Sequence, residues 1–181
     1  MADKRHVHQT FEEFAGRHID GLYNGALFLT AGAGTPAEDL VLWTLTGAFQ
    51  EFQKMKGEDA SKHWLEGKLV DVFLARTAAG EGLSGAPASG QSLSPDTVSS
   101  GGGSLEIDPD ALFRAAKHMP PLARAAVWLV VFRRWTYGEA ANGLGADVDG
   151  LKELLEYRQV LLKAVPRRWA DRNGTDRDGR H

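Results

Sequence analysis

Cysteine is absent from this 181-residue chain. Its absence excludes disulfide bonds, thiol catalysis and cysteine-ligated zinc, and is compatible with a reducing compartment. No run approaches the roughly 18 apolar residues that a membrane-spanning helix needs, and no apolar segment follows the polar first eight residues as it would in a secretory signal. We therefore expect a cytoplasmic protein without a membrane partner.

An excess of positive charge is also missing, because 21 Lys and Arg residues stand against 24 Asp and Glu residues, for a formal net charge of -3. The chain has no overall attraction to nucleic acid, so any DNA contact must come from a local patch or a larger assembly. Hydrophobic residues make up 43% of the chain, which suffices for the core of one ordinary domain or two small ones.

The sequence lacks a convincing catalytic or metal-binding set. His18, His63 and His118 fall on three separate predicted helices, and the glycines of residues 80–103 are not followed by the Lys-Ser or Lys-Thr of a phosphate-binding loop. We therefore predict a protein that is not an enzyme and that needs no metal or cofactor.

Three helices are predicted in residues 8–76, enough for a small bundle. Apolar residues at steps of three and four indicate the first helix, over residues 10–30. Residues 35–38, Thr-Pro-Ala-Glu, predict the start of the second through a threonine cap, a proline at the first helical position and a capping box. Ser61 is predicted to cap the third.

The second helix is predicted to be amphipathic. Its inward stripe would comprise Leu40, Val41, Thr44, Leu45, Ala48, Phe49 and Phe52. Glu38, Asp39, Thr46 and Gln50 lie toward the other side and are free to meet a partner. Trp43 lies beside the stripe, where it could either join the core or anchor a protein partner.

Residues 77–105 are rich in Gly, Ser, Ala and Pro, and we predict that they form a flexible linker. A coil of roughly 30 residues has a root-mean-square span of about 30 Å, so the flanking domains could occupy separate sites on a large partner. A second helical domain is predicted over residues 106–165, and a disordered tail over residues 166–181.

Within the second domain, residues 123–163 show the pattern of a helix-turn-helix. Thr136 and Glu139 predict a capping box, Gly145 a turn, and Asp147 the cap of a longer helix that would continue to Pro166. In a DNA reader this last helix would enter the major groove. Any small helical domain also contains helix pairs with glycine turns. The pattern therefore supports a helix-turn-helix fold better than it supports DNA binding.

Charge on the candidate recognition helix is mixed. Lys152 and Arg158 are offset by Asp149, Glu153 and Glu156, so DNA phosphates would be repelled as much as attracted.

Several short motifs follow one another in an order that resembles the extracytoplasmic-function sigma factors of bacterial RNA polymerase. They are Phe11-Glu12-Glu13-Phe14, Leu22-Tyr23, Ala37-Glu38-Asp39-Leu40-Val41, Trp64-Leu65, Ala111-Leu112, Met119-Pro120-Pro121, Thr136-Tyr137-Gly138-Glu139-Ala140-Ala141 and Leu144-Gly145. The resemblance covers nearly the whole chain. It implies an all-α protein in which a three-helix, region 2-like bundle and a four-helix, region 4-like domain are joined by the linker.

The resemblance implies that the partners are core RNA polymerase, promoter DNA and an anti-sigma factor. The polymerase-binding positions would be Glu38, Asp39, Leu40, Val41, Thr44 and Gln50. The DNA-binding positions would be Asp71 and Arg76 in the third helix, and Thr136, Tyr137, Lys152 and Arg158 in the second domain.

Departures from the family pattern keep a second hypothesis open. Leu42-Trp43 stands where the family usually has a polar pair. The recognition helix of the family is usually basic, and of those basic residues only Lys152 is clearly retained here, beside Leu154 and Glu156. One hypothesis is therefore a sigma-like initiation factor that binds polymerase and contacts promoter DNA. The alternative is a diverged adaptor or decoy that binds polymerase or an anti-sigma factor without specific promoter recognition.

Overall fold

Helices account for most of the part of the chain that this computed structural model describes, namely residues 10–52, 61–81 and 109–164. They are α1 (Phe11–Leu29), α2 (Gly34–Phe52), α3 (Lys62–Ala78), α4 (Pro109–Lys117), α5 (Pro121–Val127), α6 (Tyr137–Gly143), α7 (Val148–Leu155) and α8 (Arg158–Ala164). A π-helical turn, Trp128–Phe132, continues α5. These residues contain no strand, which confirms the predicted all-α class.

Side-chain caps begin several of these helices where the sequence predicted them. The backbone N–H of Glu139 donates to the Thr136 hydroxyl (3.2 Å), and the Thr136 N–H donates to the Glu139 carboxylate (2.8 Å), so this capping box is confirmed. The Ser61 hydroxyl accepts from the backbone N–H of Trp64 at 3.1 Å. A further capping box, Thr10 with Glu13, starts α1 and was not predicted.

Two predicted boundaries are wrong. α2 begins at Gly34, so Thr35 lies inside its first turn instead of capping it. The long last helix is interrupted at Glu156 and Tyr157, where backbone bonds tighten to three-residue spacing. The interruption lets α7 pack on α5 while α8 changes direction and packs on α4.

Other predicted boundaries lie partly or wholly outside the described residues. α3 continues to Ala78, two residues into the predicted linker. The linker from residue 82 onward and the predicted tail, residues 166–181, lie outside the described part of the chain.

The C-terminal end of α1 is completed by the second half of the chain. Ala31 and Gly32, both at positive φ, donate their N–H groups to carbonyls of the last turn in a Schellman arrangement. The Thr30 hydroxyl donates to another of these carbonyls. The carbonyl of Leu29, the last residue of α1, accepts a hydrogen bond from the buried Arg124 guanidinium of α5. Helix α1 has no basic residue in its own last turn, so Arg124 supplies the cation that this helix end favours.

One cluster of buried side chains runs through residues 10–81, called here the N-terminal half, and residues 109–164, the C-terminal half. Gly25 of α1 lies directly against the Trp128 indole, and the rings of Phe28 and Phe132 are 5.0 Å apart. The sequence left open whether the two predicted domains pack together. In the structure they do, and α1 and α3 carry the contact from the N-terminal side.

Among the residues that the structure describes, no helix combines the length and the apolar character needed to cross a membrane.

Candidate functional site

Helix α2 exposes a continuous stripe along the side that faces away from the core. The exposed side chains, called here the outer face of α2, are Glu38, Asp39, Leu42, Thr46, Phe49 and Gln50. Leu42 is 61% exposed and Phe49 is 45% exposed. Their spacing of three and four residues places them on one side of the helix. The outer face therefore combines two large apolar side chains with two carboxylates at its N-terminal end.

The structure divides the predicted polymerase-binding residues into two groups. Glu38, Asp39 and Gln50 are exposed on the outer face. Leu40, Val41 and Thr44 are buried in the core, as the predicted inward stripe requires. Direct contact with a partner is therefore open to the first group, while the second holds the helix in place.

Phe49 was predicted on the inward stripe, and that prediction is wrong. Its ring meets Phe11 edge-on at 5.4 Å, yet the residue stays 45% exposed. Since Leu42 also points outward, the outer face is more apolar than the sequence pattern indicated.

Trp43 and Arg76 contact each other across α2 and α3. The Arg76 guanidinium lies 3.5 Å from the centre of a Trp43 ring, which is close enough for a cation–π interaction. The same guanidinium donates to the Glu81 carboxylate at 2.6 Å. Arg76 was predicted to face DNA, and here its positive charge is already engaged within the protein.

Asp71, the other predicted DNA-facing residue of α3, is exposed. Partial desolvation raises the pKa of its carboxyl group, Lys68 lowers it and Glu51 raises it. Lys68 itself donates to Glu51 at 2.7 Å. The Asp71 carboxylate itself therefore provides no attraction for a phosphate backbone.

Helices α6 and α7 form the predicted pair of short helices around a tight turn. Gly145 takes φ +62° in the turn, where a residue without a Cβ is favoured. The Asp147 carboxylate then accepts from the Gly150 N–H at 2.6 Å and starts α7. Leu151 and Leu155 are buried and hold α7 against the C-terminal half, so the opposite side of α7 faces solvent.

The predicted DNA-binding residues of the C-terminal half are all exposed but do not form one cationic patch. Lys152 donates to Asp149 at 2.8 Å, and this hydrogen bond and the opposite charge raise the pKa of Lys152. Tyr137 lies near enough to Lys152 to add to that rise. The Thr136 hydroxyl is bonded to Glu139. Arg158 begins α8, beyond the break, and is not on the candidate recognition helix.

A polar cluster between the two halves was not predicted from the sequence. The Glu66 side chain of α3 is buried and accepts hydrogen bonds from the guanidinium of Arg133 and the indole N–H of Trp135. These pairs are separated by 67 and 69 positions. Partners this far apart in the chain leave no local sequence pattern, so nothing in the sequence indicated them.

Comparison with known proteins supports the fold. No protein-family model matches the chain, and no curated protein matches it. Among the solved structures that match is the sigma factor RpoE of Bartonella quintana, crystallised in complex with the anti-sigma factor NepR. The TM-score is 0.62 at 20% sequence identity, over 84% of this chain and 96% of that one. The chain thus has the helical fold of a sigma factor.

Proposed function

We propose that this protein is a sigma-factor-like transcription initiation protein. It binds core RNA polymerase through the outer face of α2 and contacts promoter DNA through α6 and α7. The observation that carries the proposal is the outer face itself: Leu42 and Phe49 remain exposed although the opposite side of their helix is packed in the core. The sigma-factor fold of the matching structure supports the same assignment. A protein with this role would act in the cytoplasm.

The polymerase contact is better supported than the DNA contact. Burial of two large apolar side chains provides a gain that does not depend on charge, and apolar anchors surrounded by polar residues are typical of protein interfaces. The exposed side of α7 and the residue that caps its C-terminal end instead present Asp149, Glu153 and Glu156 around Lys152. Polymerase is therefore expected to supply most of the affinity for the promoter complex.

Replacing Leu42 with aspartate is expected to weaken binding to core RNA polymerase at least about tenfold, the effect of losing about 1.4 kcal/mol. A carboxylate would have to be desolvated where an apolar anchor was buried. The measurement is a titration of the purified chain against labelled core enzyme. Leu162→Asp is a matched control, since Leu162 of α8 is 62% exposed but lies outside the outer face. Equal affinities for the two variants would contradict the proposed surface.

Replacing Lys152 with glutamine is expected to reduce the salt dependence of DNA binding by about one unit of log K against log salt, as for the loss of one phosphate contact. The measurement is a gel-shift titration at several salt concentrations, with Lys163→Gln as a control on α8. An unchanged slope would remove Lys152 from the DNA contact.

The acidic surface of α7 also supports a second candidate function. In this alternative the chain is an adaptor or decoy that binds polymerase, or an anti-sigma factor, and does not specify promoters. Repulsion between phosphates and the carboxylates of Asp149, Glu153 and Glu156 favours it. The matching sigma factor was crystallised with an anti-sigma factor, and we propose a partner of that class in either case.

One experiment separates these functions. The purified protein is mixed with core RNA polymerase and a random DNA pool, the complexes are recovered, and the retained DNA is sequenced. Enrichment of a two-part motif supports the initiation factor. Co-elution with polymerase without enrichment supports the adaptor, and failure to co-elute contradicts polymerase binding and leaves an anti-sigma partner to be tested.

A further inference from the structure

A small cleft lies where the two halves of the chain meet, and charged groups line it from both sides. The lining residues are His18 and Leu22 of α1, Lys62, Leu65 and Glu66 of α3, and Arg133 of the C-terminal half. The first five belong to the N-terminal half. Arg133 is thus the lining residue that the C-terminal half contributes.

Both carboxylate oxygens of Glu66 are engaged by the C-terminal half. Oε1 accepts from Nε of Arg133 at 2.6 Å and also from its Nη2, while Oε2 accepts from the Trp135 indole N–H at 3.0 Å. Lys62 stands 3.9 Å from Oε1. The single buried carboxylate of the cleft therefore already faces two cations, one from each half.

His18 occupies the same cleft, with its ring edge-on to Phe14 at 5.0 Å. The charged groups around it are Arg17 on its own helix, Lys62 and Glu66 on α3, and Arg133 from the C-terminal half. Burial lowers the pKa of His18 most, Lys62 and Arg17 lower it further, Glu66 raises it, and Arg133 adds a smaller decrease. A pKa below 6.5 leaves His18 mainly uncharged at neutral pH.

We propose that His18 is a proton sensor for the contact between the two halves, and that protonation of its ring releases Arg133 from Glu66. A charged His18 would be the third cation facing one carboxylate. Lys62 and His18 both belong to the N-terminal half, so separation of the halves removes Arg133 from the cluster and leaves these two residues beside Glu66. The departure of Arg133 frees Glu66 to pair with the protonated imidazole.

The direction of the pH dependence follows from linkage. His18 has a lowered pKa while the halves are in contact. Separation would remove the decrease caused by Arg133 and leave those of Lys62 and Arg17, so the pKa of His18 would rise toward the ordinary value of 6.5. The released state therefore binds the proton more tightly, so the stabilisation that uncharged His18 gives to the contact is fully present above pH 6.5 and decreases as the pH falls below that value. Because one proton is involved, the ratio of released to closed molecules changes at most about tenfold per pH unit.

The absence of native cysteine makes the test direct. Cysteines introduced at two exposed positions, Ala75→Cys on α3 and Glu153→Cys on α7, carry a pair of fluorescent labels on the full chain. Energy transfer then reports the separation of the halves during urea titrations at about pH 7.5 and about pH 5.5, on either side of the ordinary histidine range. Circular dichroism follows helix content in the same samples.

Separation of the labels is expected at lower urea at the acidic pH, before helix content is lost, and His18→Gln is expected to remove most of this difference. His63→Gln and His118→Gln are the controls, because neither histidine lines the cleft. The His63 ring lies 5.3 Å from Trp135, and His118 is exposed on the C-terminal half. The proposal is overturned if His18→Gln keeps the full pH difference, or if separation always coincides with helix loss.

Discussion

Replacing Glu66 with alanine is expected to lower the free energy of unfolding by about 3–5 kcal/mol, as for removal of one partner from a buried ion pair. Glu66 is 3% exposed, and the loss of its carboxylate leaves Arg133 without its counter-ion and the Trp135 indole N–H without an acceptor. Urea denaturation followed by circular dichroism measures the change.

Glu51→Ala provides the control for this prediction. Glu51 pairs with Lys68 at 2.7 Å, but 45% of its side chain is exposed, and such surface pairs contribute about 0–1 kcal/mol. Equal effects of the two substitutions would show that the Glu66 cluster does not hold the halves together.

Replacing Gly25 with alanine is expected to cost about 1–3 kcal/mol of stability, the usual penalty for overpacking a core. A Cβ at this position would stand 2.4 Å from Cζ2 of Trp128, and a buried indole has little room to move. The same urea titration, with tryptophan fluorescence as the signal, reports the loss.

Gly16→Ala is the matched control in the same helix, because nothing lies within 4 Å of a Cβ placed there. It is expected to be neutral or to stabilise the protein by up to about 1 kcal/mol through helix propensity. A loss of stability at Gly16 equal to that at Gly25 would mean that the close contact with Trp128 is not the cause.

The contact between the halves leaves both proposed binding surfaces accessible. Leu42 and Phe49 on α2, and Lys152 on α7, are exposed while the halves are packed together. The residues that join the halves lie instead on α1 and α3 and around the π-helical turn. Substitutions at Glu66 or Gly25 should therefore change stability first, whereas Leu42→Asp should change partner affinity without a comparable loss of stability.

The sequence predicted the features whose causes are local. The capping box of Thr136 and Glu139, the turn at Gly145 and the buried stripe of α2 each depend on residues within about four positions of one another, and short-range geometry settles such features.

The cap predicted at Thr35 failed locally, because α2 begins one residue earlier, at Gly34. Two other predictions failed where packing between distant helices decides. The break at Glu156 accompanies the packing of α8 on α4, and Phe49 stays 45% exposed although its ring meets Phe11.

The sequence by itself therefore determined the order of the helices in residues 10–52, 61–81 and 109–164. Only the tertiary structure decided how the two halves contact each other. Arg124 donates a hydrogen bond to the Leu29 carbonyl, 95 positions away, and Arg133 donates to Glu66, 67 positions away. Buried polar groups need partners wherever these lie in the chain. Helical periodicity reports which side of a helix is buried, but carries no information about which distant side chain meets it.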